Sequence, residues 1–386
     1  MKKTKIVFLT STASGYGGEN ALFDAIRKLP TEFEPIVVVP EQGPLLDALN
    51  NQGTRTRVIP FAVLHRMYFH PLRIFLYLGF ALASFFRLRS LFKSLRPQII
   101  HTNNLLVLPG AFAARVLGIP HVWHIREIIE GYHIHPFLWK VWRWIVLTFS
   151  TKVICISTAV QQQFGHSDKT IVIHDGVDTS VFRPKRSASK QDARRKRSLV
   201  IGTVGRVEHR RKGQDIFIEA ARVALKTRKD LRFVIVGHER EEFGEREREL
   251  HQMVERYGLT DKIEFRGFVP REKMVDVMNE LDVLVLCSKQ PEGLGLVLLE
   301  AMACGKPVIA PAEGGPLDII ENGSNGILIP ARDPERLAEA ILYLADHPDQ
   351  RKKLGKSGRK RVESAFRIED TASKLASLYL ESLEIA

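Results

Sequence analysis

The fold of this chain is decided by residues 281–330, which read LDVLVLCSKQPEGLGLVLLEAMACGKPVIAPAEGGPLDIIENGSNGILIP. The apolar run 281–286 predicts a strand, and the loop after it carries Glu292. A helix containing Glu300 follows, and the run 307–310 predicts a second strand. Strand, loop, helix and strand in this order are typical of a parallel sheet whose strands are joined by crossover helices.

Glycines and carboxylates are concentrated in the loops of this segment. Gly293 and Gly295 lie at the turn into the helix, and Glu313, Gly314 and Gly315 follow the second strand. The N–H groups at a helix N-terminus attract phosphate, whereas carboxylates accept hydrogen bonds from hydroxyl groups. A ligand that carries both phosphate and many hydroxyls is a sugar nucleotide, so we expect the segment to bind one.

The segment also resembles the donor-site signature of family-four retaining glycosyltransferases, which have the GT-B fold. The resemblance rests on two glutamates with seven residues between them, followed by Ala-Met-Ala-Cys-Gly-Lys-Pro-Val and Gly-Gly-Pro-Leu-Asp. It implies that Glu292 holds the hydroxyls of the sugar and that Glu300 holds the ribose of the nucleotide. The alternative is a buried strand–helix–strand unit whose glutamates are surface charges. The donor-binding residues implied in this segment are Glu292, Gly293, Leu294, Gly295, Leu296 and Glu300.

Apolar runs of strand length recur along all 386 residues, with helix-length segments between them. A chain of this length has room for two domains. The alternation predicts an α/β fold with two doubly wound, Rossmann-like parallel-sheet domains, which in the GT-B fold face a central cleft. The predicted strands are 6–10, 36–40, 57–61, 98–101, 121–124, 153–157, 171–174, 199–204, 233–237, 263–268, 281–286, 308–310 and 326–329.

The composition divides the chain into four parts. Residues 183–198 are polar, basic and without apolar periodicity, so we interpret them as an exposed linker. We expect residues 1–182 to form an N-terminal acceptor-binding domain and residues 199–365 a C-terminal domain that binds the nucleotide sugar. Residues 366–386 are predicted to form a helix that packs back on the N-terminal domain. Basic runs also bind nucleic acid, but no recognition motif accompanies this one, so we expect no nucleic-acid partner.

Two cations follow the first predicted strand of the C-terminal domain. Arg206 and Lys212 stand six positions apart, directly after Gly205. The family uses an Arg and a Lys at this spacing to hold the diphosphate of the donor, so the resemblance implies that role for this pair, with Gly205 beside it. The alternative is two solvated cations in a basic protein, and Arg210 and Arg211 leave open which cation points inward.

A second glycine-rich turn opens the N-terminal domain. After the first predicted strand comes a loop with Gly17 and Gly18, which lacks the spacing of a dinucleotide-binding fingerprint. In the family this loop lies over the donor phosphates and the acceptor, and Gly17 and Gly18 match it best. The resemblance also matches His124 to the histidine that faces the reacting sugar, with His101 as a weaker candidate. A histidine that ends a strand otherwise has a structural role.

The sequence shows no pattern typical of a metal or cofactor site. No Asp-x-Asp lies beside a predicted strand, and no His/Cys cluster has the spacing of metal ligands. Because Arg206, Lys212 and a helix dipole can balance phosphate charge, we expect neither a divalent ion nor a cofactor. The scattered cysteines, Cys155, Cys287 and Cys304, are typical of core residues in a reducing compartment, so we expect a cytoplasmic protein.

Positive charge is concentrated in the first half of the chain. Residues 1–197 contain 27 Lys and Arg against 12 Asp and Glu, whereas the remainder contains 30 against 32. No acidic residue occurs from 48 to 126, a span that includes the apolar run 74–86, which is too short to cross a bilayer. A second segment, 136–149, mixes three tryptophans with two cations. Both segments predict contact with an anionic membrane surface, and the alternative is that both are core helices.

We therefore expect a retaining, metal-independent glycosyltransferase of the hexosyltransferase type, peripheral on the inner face of the cell membrane. Its donor would be a nucleotide sugar such as UDP- or GDP-hexose, and its acceptor a lipid-linked or cell-surface polysaccharide. The alternatives are a sugar-nucleotide epimerase on the same fold and a non-catalytic protein that binds sugar nucleotides. The expected catalytic residues are His124, Arg206, Lys212 and Glu292.

Overall fold

The computed structural model describes residues 3–14, 17–64, 73–129, 135–185, 198–239 and 244–385. The chain divides into two compact units. The first contains residues 1–176 and 368–386, and the second contains residues 177–367. Each unit is built on one sheet with helices on both faces. The predicted α/β class, with two doubly wound parallel sheets, is therefore confirmed.

The first unit has a seven-stranded sheet in the order β3-β2-β1-β4-β5-β6-β7, and every adjacent pair is parallel. The chain runs outward from β1 to β3 and then returns to place β4 on the other side of β1. In open α/β sheets, ligands bind at the carboxyl ends of the strands at such a reversal. The strands are β1 (Thr4–Leu9), β2 (Phe33–Val39), β3 (Arg55–Val58), β4 (Ile99–Thr102), β5 (His121–Ile125), β6 (Lys152–Cys155) and β7 (Thr170–Val172).

Alternate residues of β1 pack on opposite faces of this sheet, as the two-residue period of a strand requires. Phe8 lies in a cluster with residues of the helix Ile368–Glu384. Val7 and Leu9 lie in a second cluster, with residues of the helix Arg73–Leu95. The helices of the first unit are Gly17–Arg27, Pro44–Asn51, Arg73–Leu95, Leu108–Val116, Pro136–Phe149, Thr158–Gln162 and Ile368–Glu384.

The second unit has a six-stranded sheet in the order β10-β9-β8-β11-β12-β13, again parallel throughout. The order reverses between β8 and β11, so this unit has its own crevice at the carboxyl ends of those strands. The strands are β8 (Leu199–Val204), β9 (Leu231–Val236), β10 (Ile263–Phe265), β11 (Val283–Val285), β12 (Val308–Pro311) and β13 (Ile327–Ile329).

Apolar side chains of this second sheet are covered on both faces. Phe233 and Ile235 of β9 lie in a cluster with residues of the helix Gln214–Thr227. Val234, between them, lies on the opposite face with Val277 of the helix Arg271–Glu280. The helices of the second unit are His209–Lys212, Gln214–Thr227, Glu245–Arg256, Arg271–Glu280, Leu296–Ala303, Pro316–Ile319, Pro334–Asp346 and Pro348–Ala365.

Each predicted strand has an observed counterpart, but some ends differ. The third strand is Arg55–Val58 rather than 57–61, and Phe61 lies beyond it in the apolar cluster beneath Arg73–Leu95. The fold divides at residue 176 rather than 182, and the N–H of Val177 donates to the carbonyl of Phe366, in the same unit, at 2.9 Å. Most of the predicted linker, residues 186–197, lies outside the described residues.

Candidate functional site

The second sheet brings three of the predicted loops to one edge. Strands β8, β11 and β12 are adjacent and parallel, so their carboxyl ends lie side by side. The loop after β8 carries Arg206 and Lys212, and the loop after β11 carries Glu292. Gly314 and Gly315 follow β12. Residues far apart in sequence therefore form one cluster at the predicted donor site.

Lys212 and Glu292 form the central contact of this cluster. The Nζ of Lys212 donates to Oε1 of Glu292 at 2.6 Å, and both side chains are only partly exposed, at 22% and 17%. The hydroxyl of Ser288 donates to the same carboxylate oxygen. Ser288 was not predicted as a site residue, although a polar side chain directly after a buried strand is a signal that could have identified it.

The charge of Glu292 is fixed by its neighbours. Burial alone would raise the pKa of this carboxyl group. That effect is outweighed by the charges of Lys212 and Arg211 and by the hydrogen bonds from Lys212 and Ser288, which lower the pKa to about 2. Glu292 is therefore a carboxylate at every physiological pH. A fixed carboxylate beside a cation can accept hydrogen bonds from sugar hydroxyls while the cation faces an anion.

Glycines let the loops approach closely enough to form this cluster. Gly213 has a φ of 70°, and a Cβ at that position would lie 1.9 Å from the carbonyl oxygen of Cys287. The N–H of Gly315 donates to the carbonyl of Glu292 at 2.8 Å, and a Cβ on Gly315 would lie 2.3 Å from the Cα of Leu294. Side chains at these positions would push the three loops apart.

The helix Leu296–Ala303 begins directly behind Glu292. Gly295 precedes its first turn with a φ of 92°, no side chain caps that end, and no acidic residue lies in the first turn. The N–H groups of this turn can thus bind an anion. Glu300 is buried further along the same helix. Leu294 is buried at the turn, and Leu296 opens the helix half-buried.

Arg206 has a different partner from Lys212. Its Nη2 donates to Oε2 of Glu208 at 2.7 Å, and Glu208 also lies 3.9 Å from Nε of Arg211 and from Nη1 of Arg246. The resemblance implied that both cations hold the diphosphate of the donor. In the structure only Lys212 contacts Glu292, and Arg206 belongs to a neighbouring network centred on Glu208.

A second polar cluster lies at the carboxyl edge of the first sheet. Arg126 follows β5 and forms a buried ion pair with Asp175, and its Nε donates to Oδ1 of Asn103 at 2.9 Å. A Cβ on Gly18 would lie 3.2 Å from Cδ of Arg126, so the predicted glycine loop approaches this cluster. Gly17 begins the helix Gly17–Arg27 beside it. Arg126 and Asn103 were not predicted as site residues, although both follow buried strands.

His124 lies in the core of the first unit. Its side chain is 1% exposed, and neither ring nitrogen has a hydrogen-bond partner among the described residues. Its ring packs against that of His101 with centroids 5.3 Å apart. Burial and the nearby charge of Arg126 hold the pKa of His124 well below its ordinary value, so the ring is neutral. A role for His124 at the reacting sugar stays a prediction.

The described part of the chain offers no cluster of three or more His, Cys, Asp or Glu side chains that could hold a metal ion. The three cysteines, Cys155, Cys287 and Cys304, are buried and free. Burial raises the pKa of each thiol to about 12, so all three are protonated and unreactive.

Two family models match this chain. The model described as Glycosyltransferase Family 4 matches residues 16–181, and the model described as Glycosyl transferases group 1 matches residues 184–361. The two matches leave out only the ends of the chain and residues 182–183. The second match contains every predicted donor-site residue of the C-terminal half.

Curated relatives match the chain over part of their length. A D-inositol 3-phosphate glycosyltransferase of Thermobispora bispora is 31% identical over 226 residues, which are 56% of this chain and 51% of that protein. A lipopolysaccharide core biosynthesis mannosyltransferase of Rhizobium meliloti is 32% identical over 219 residues, which are 55% of this chain and 61% of that protein. The chain thus spans about half the length of the curated relatives it matches.

Solved structures match the fold along almost the whole chain. HepE of Anabaena, in complex with UDP, has a TM-score of 0.82 at 23% identity and covers 98% of this chain and 100% of its own. Sucrose-phosphate synthase of Thermosynechococcus elongatus has a TM-score of 0.77 at 22% identity, with full coverage of both chains. Identities this low show the fold alone. The two family models match in order along the chain, family 4 in its first half and group 1 in its second. The chain therefore belongs to the glycosyltransferases.

Proposed function

We propose that this chain transfers a hexose from a nucleotide sugar such as UDP- or GDP-hexose to a lipid-linked or cell-surface polysaccharide. The transfer retains the anomeric configuration and requires no metal ion or cofactor. One observation carries the proposal: the contact of Lys212 with Glu292 lies directly before the uncapped N-terminus of the helix Leu296–Ala303. A cation, a carboxylate and a set of helix N–H groups together fit a ligand that has both phosphates and hydroxyls.

The chain's own groups stabilise the charge that develops on the leaving diphosphate. As the bond from the anomeric carbon to the diphosphate breaks, the diphosphate takes the electron pair, and the acceptor oxygen bonds the carbon and gives its proton to an oxygen of the leaving diphosphate. Lys212 and the N-terminus of the helix Leu296–Ala303 then face the new negative charge. Arg206, at the end of β8, adds a second cation to the same edge. Charge stabilisation of this kind is commonly the largest contribution to catalysis.

The two glutamates have separate roles in this proposal. Glu292 is held as a carboxylate by Lys212 and accepts hydrogen bonds from sugar hydroxyls. Glu300 lies deeper along the helix and binds the ribose. The solved HepE complexes with UDP and with UDP-glucose support a nucleotide-sugar donor for proteins of this fold. The lipopolysaccharide mannosyltransferase relative supports a glycan acceptor.

We place the reaction in the cytoplasm. The three cysteines are free and protonated, which is typical of proteins from a reducing compartment. A nucleotide-sugar donor also requires a compartment that supplies nucleotides, as the cytoplasm does. Fractionation of cells that produce the protein would test the location, and recovery outside the cytoplasmic and membrane fractions would contradict it.

Substitution of the two cations tests the donor site. We expect Lys212→Ala and Arg206→Ala to lower transfer at least about tenfold each, because a lost charge-assisted contact costs about 1.5–3 kcal/mol. Arg336→Ala, an exposed cation of the same unit, is the matched control. Near-normal transfer by the Lys212→Ala, Arg206→Ala double variant would exclude the site. Transfer should persist in EDTA, and complete loss there would show that a metal is needed.

Binding of free nucleotide and of intact donor separates the two glutamates. Glu300→Ala should weaken binding of UDP and UDP-hexose alike, whereas Glu292→Ala should mainly weaken UDP-hexose. A thermal-shift series suits this comparison, because a ligand at 100 times its Kd adds about 2.7 kcal/mol of stability. Equal losses for both ligands in both variants would contradict the division of roles. Conversion of the donor sugar without acceptor would indicate an epimerase, and binding without turnover a non-catalytic protein.

A further inference from the structure

The helix Arg73–Leu95 exposes an apolar face on the first unit. Only four of its residues are buried, Tyr77, Ser84, Leu88 and Phe92. Phe75 and Leu76 are 71% and 70% exposed, which is unusual for side chains of this size in a water-soluble surface. The large apolar residues exposed along this helix are Phe75, Leu76, Leu78, Phe80, Leu82 and Phe86.

The helix Pro136–Phe149 has the same character. Val146 is its single buried residue. Phe137, Leu138, Val141 and Trp144 are all exposed. No part of the chain that the structure describes covers these exposed side chains. Both helices therefore present an apolar surface that water solvates poorly.

The two helices contribute to one face. Tyr77 of the first helix lies in a small buried cluster with Ala62 and Leu64. Trp142 of the second helix packs against the same cluster, as do Ile74 and Ala81 of the first. The exposed apolar residues of the two helices therefore lie on neighbouring parts of the surface, which we call the apolar face.

The two helices that carry the apolar face are also basic. Neither helix contains an acidic residue, and none occurs from residue 48 to 126. Five cations of the two helices are exposed, namely Arg73, Arg87, Lys93, Lys140 and Arg143. Helices that lie in a membrane interface typically expose Phe, Leu and Trp beside Lys and Arg. Their rings lie at the lipid boundary and their cations at the headgroups.

By length and composition the helix Arg73–Leu95 could also cross a membrane, since it has 23 residues and contains an 18-residue window with a mean hydropathy of 1.4. Its packing points to a different arrangement. Leu88 and Phe92 belong to the core beneath the first sheet, and the hydroxyl of Ser84 accepts the N–H of Ala62 at 2.8 Å. A helix attached along its length to a folded unit lies on a membrane surface and does not span it.

We propose that the apolar face binds the surface of an anionic membrane, with the two helices parallel to the bilayer. This surface would bring the first unit to an acceptor that is itself anchored in lipid, so the inference deepens the proposed function by favouring the lipid-linked acceptor. The membrane binding itself rests on the two helices alone. It can hold or fail independently of the donor site.

Sedimentation with vesicles tests the proposal. We expect the full chain to pellet with vesicles of equal parts phosphatidylcholine and phosphatidylglycerol, and not with phosphatidylcholine alone. Pelleting should decrease as salt rises from 0.1 M to 1 M, because the Debye length falls from about 10 Å to about 3 Å. Lys140→Glu with Arg143→Glu should weaken binding about 25-fold or more, since each cation near anionic lipid contributes roughly fivefold.

The apolar residues are tested by a second pair of changes. Phe75→Ser with Leu76→Ser should weaken vesicle binding at least roughly tenfold, because each side chain loses apolar burial. Leu380→Ser with Ile385→Ser is the matched control, since both residues are exposed on the other side of the first sheet. Lys352→Glu with Lys353→Glu is the charge control in the second unit. Cooperative denaturant unfolding of each variant reports that it is folded.

Four outcomes would overturn the inference. They are pelleting with neither vesicle, equal pelleting with both, equal losses in the test and control variants, and retention on vesicles through a high-salt and alkaline wash. The last would show a spanning helix. No donor sugar is present in the assay, so none of these results bears on the donor site.

Discussion

The carboxylate of Glu292 allows a quantitative test of the site. We expect Glu292→Gln to lower the free energy of unfolding by about 3 kcal/mol at pH 7. Gln resembles a protonated carboxyl group, so the variant removes the charge and keeps the shape. The pKa of Glu292 is about 2 in the folded protein, against 4.5 for an ordinary glutamate. At about 1.36 kcal/mol for each pKa unit, that difference gives the stated magnitude.

The sign of the pH dependence follows from the lowered pKa. The folded protein holds this group ionised down to about pH 2, whereas the unfolded chain takes up a proton near pH 4.5. The stabilisation is therefore complete above pH 4.5 and is lost as the pH falls towards 2. At about pH 3 it should have decreased to roughly half of its value at pH 7. The variant should thus differ from the wild type less in acid than at neutral pH.

Denaturant unfolding at several pH values measures this difference. The control is Glu339→Gln, because Glu339 forms an exposed ion pair with Arg336 and should change stability by at most about 1 kcal/mol. Two results would refute the reasoning. One is equal stability of wild type and Glu292→Gln at pH 7, and the other is a difference between them that does not shrink in acid. Either would mean that Lys212 and its neighbours do not hold the charge of Glu292.

Two further predictions concern backbone and core. Gly213→Ala should destabilise the protein and weaken donor binding, because the new Cβ would lie 1.9 Å from the carbonyl oxygen of Cys287. The control is Gly258→Ala, at a similar φ in open space, which should lower the free energy of unfolding by only about 1 kcal/mol. The pKa of His121 is lowered to about 3 by burial, so acid below pH 6.5 favours the unfolded, protonated ring. Through this group the wild type should lose about 2 kcal/mol of unfolding free energy between pH 6.5 and 5, and His121→Gln should not show this loss. Denaturant unfolding at both pH values measures it, and an unchanged pH profile in the variant would contradict the lowered pKa.

The sequence was sufficient to predict which loops meet at the carboxyl edge of the second sheet. Glu292 follows one apolar strand and Lys212 follows another, and in a parallel sheet such loops share the carboxyl edge. The sequence did not determine the order of strands, so the adjacency of β8 and β11 had to come from the structure. Contacts between specific side chains also depend on that order, as the contact of Lys212 with Glu292 shows.

Individual side-chain partners were less predictable. Arg206 has a long, flexible side chain, and a carboxylate two residues along, Glu208, is its nearest available partner. The chemistry of an Arg near a strand end predicts an anion partner but does not choose between a ligand and a neighbouring glutamate. His124 shows the same limit, since a strand pattern fixes its position along the strand but not how deeply the covering helix buries it.

The C-terminal position of the helix Ile368–Glu384 affects how the protein is made. Tyr379 packs its ring against Phe8 and Phe33, and its hydroxyl shares a hydrogen bond of 2.9 Å with His101. These partners leave the ribosome long before Tyr379 does. At 5–20 residues per second, synthesis of residues 177–367 takes about 10–40 s. For that time the nascent first unit lacks the helix that completes one face of its core, so the apolar side chains that this helix covers stay exposed.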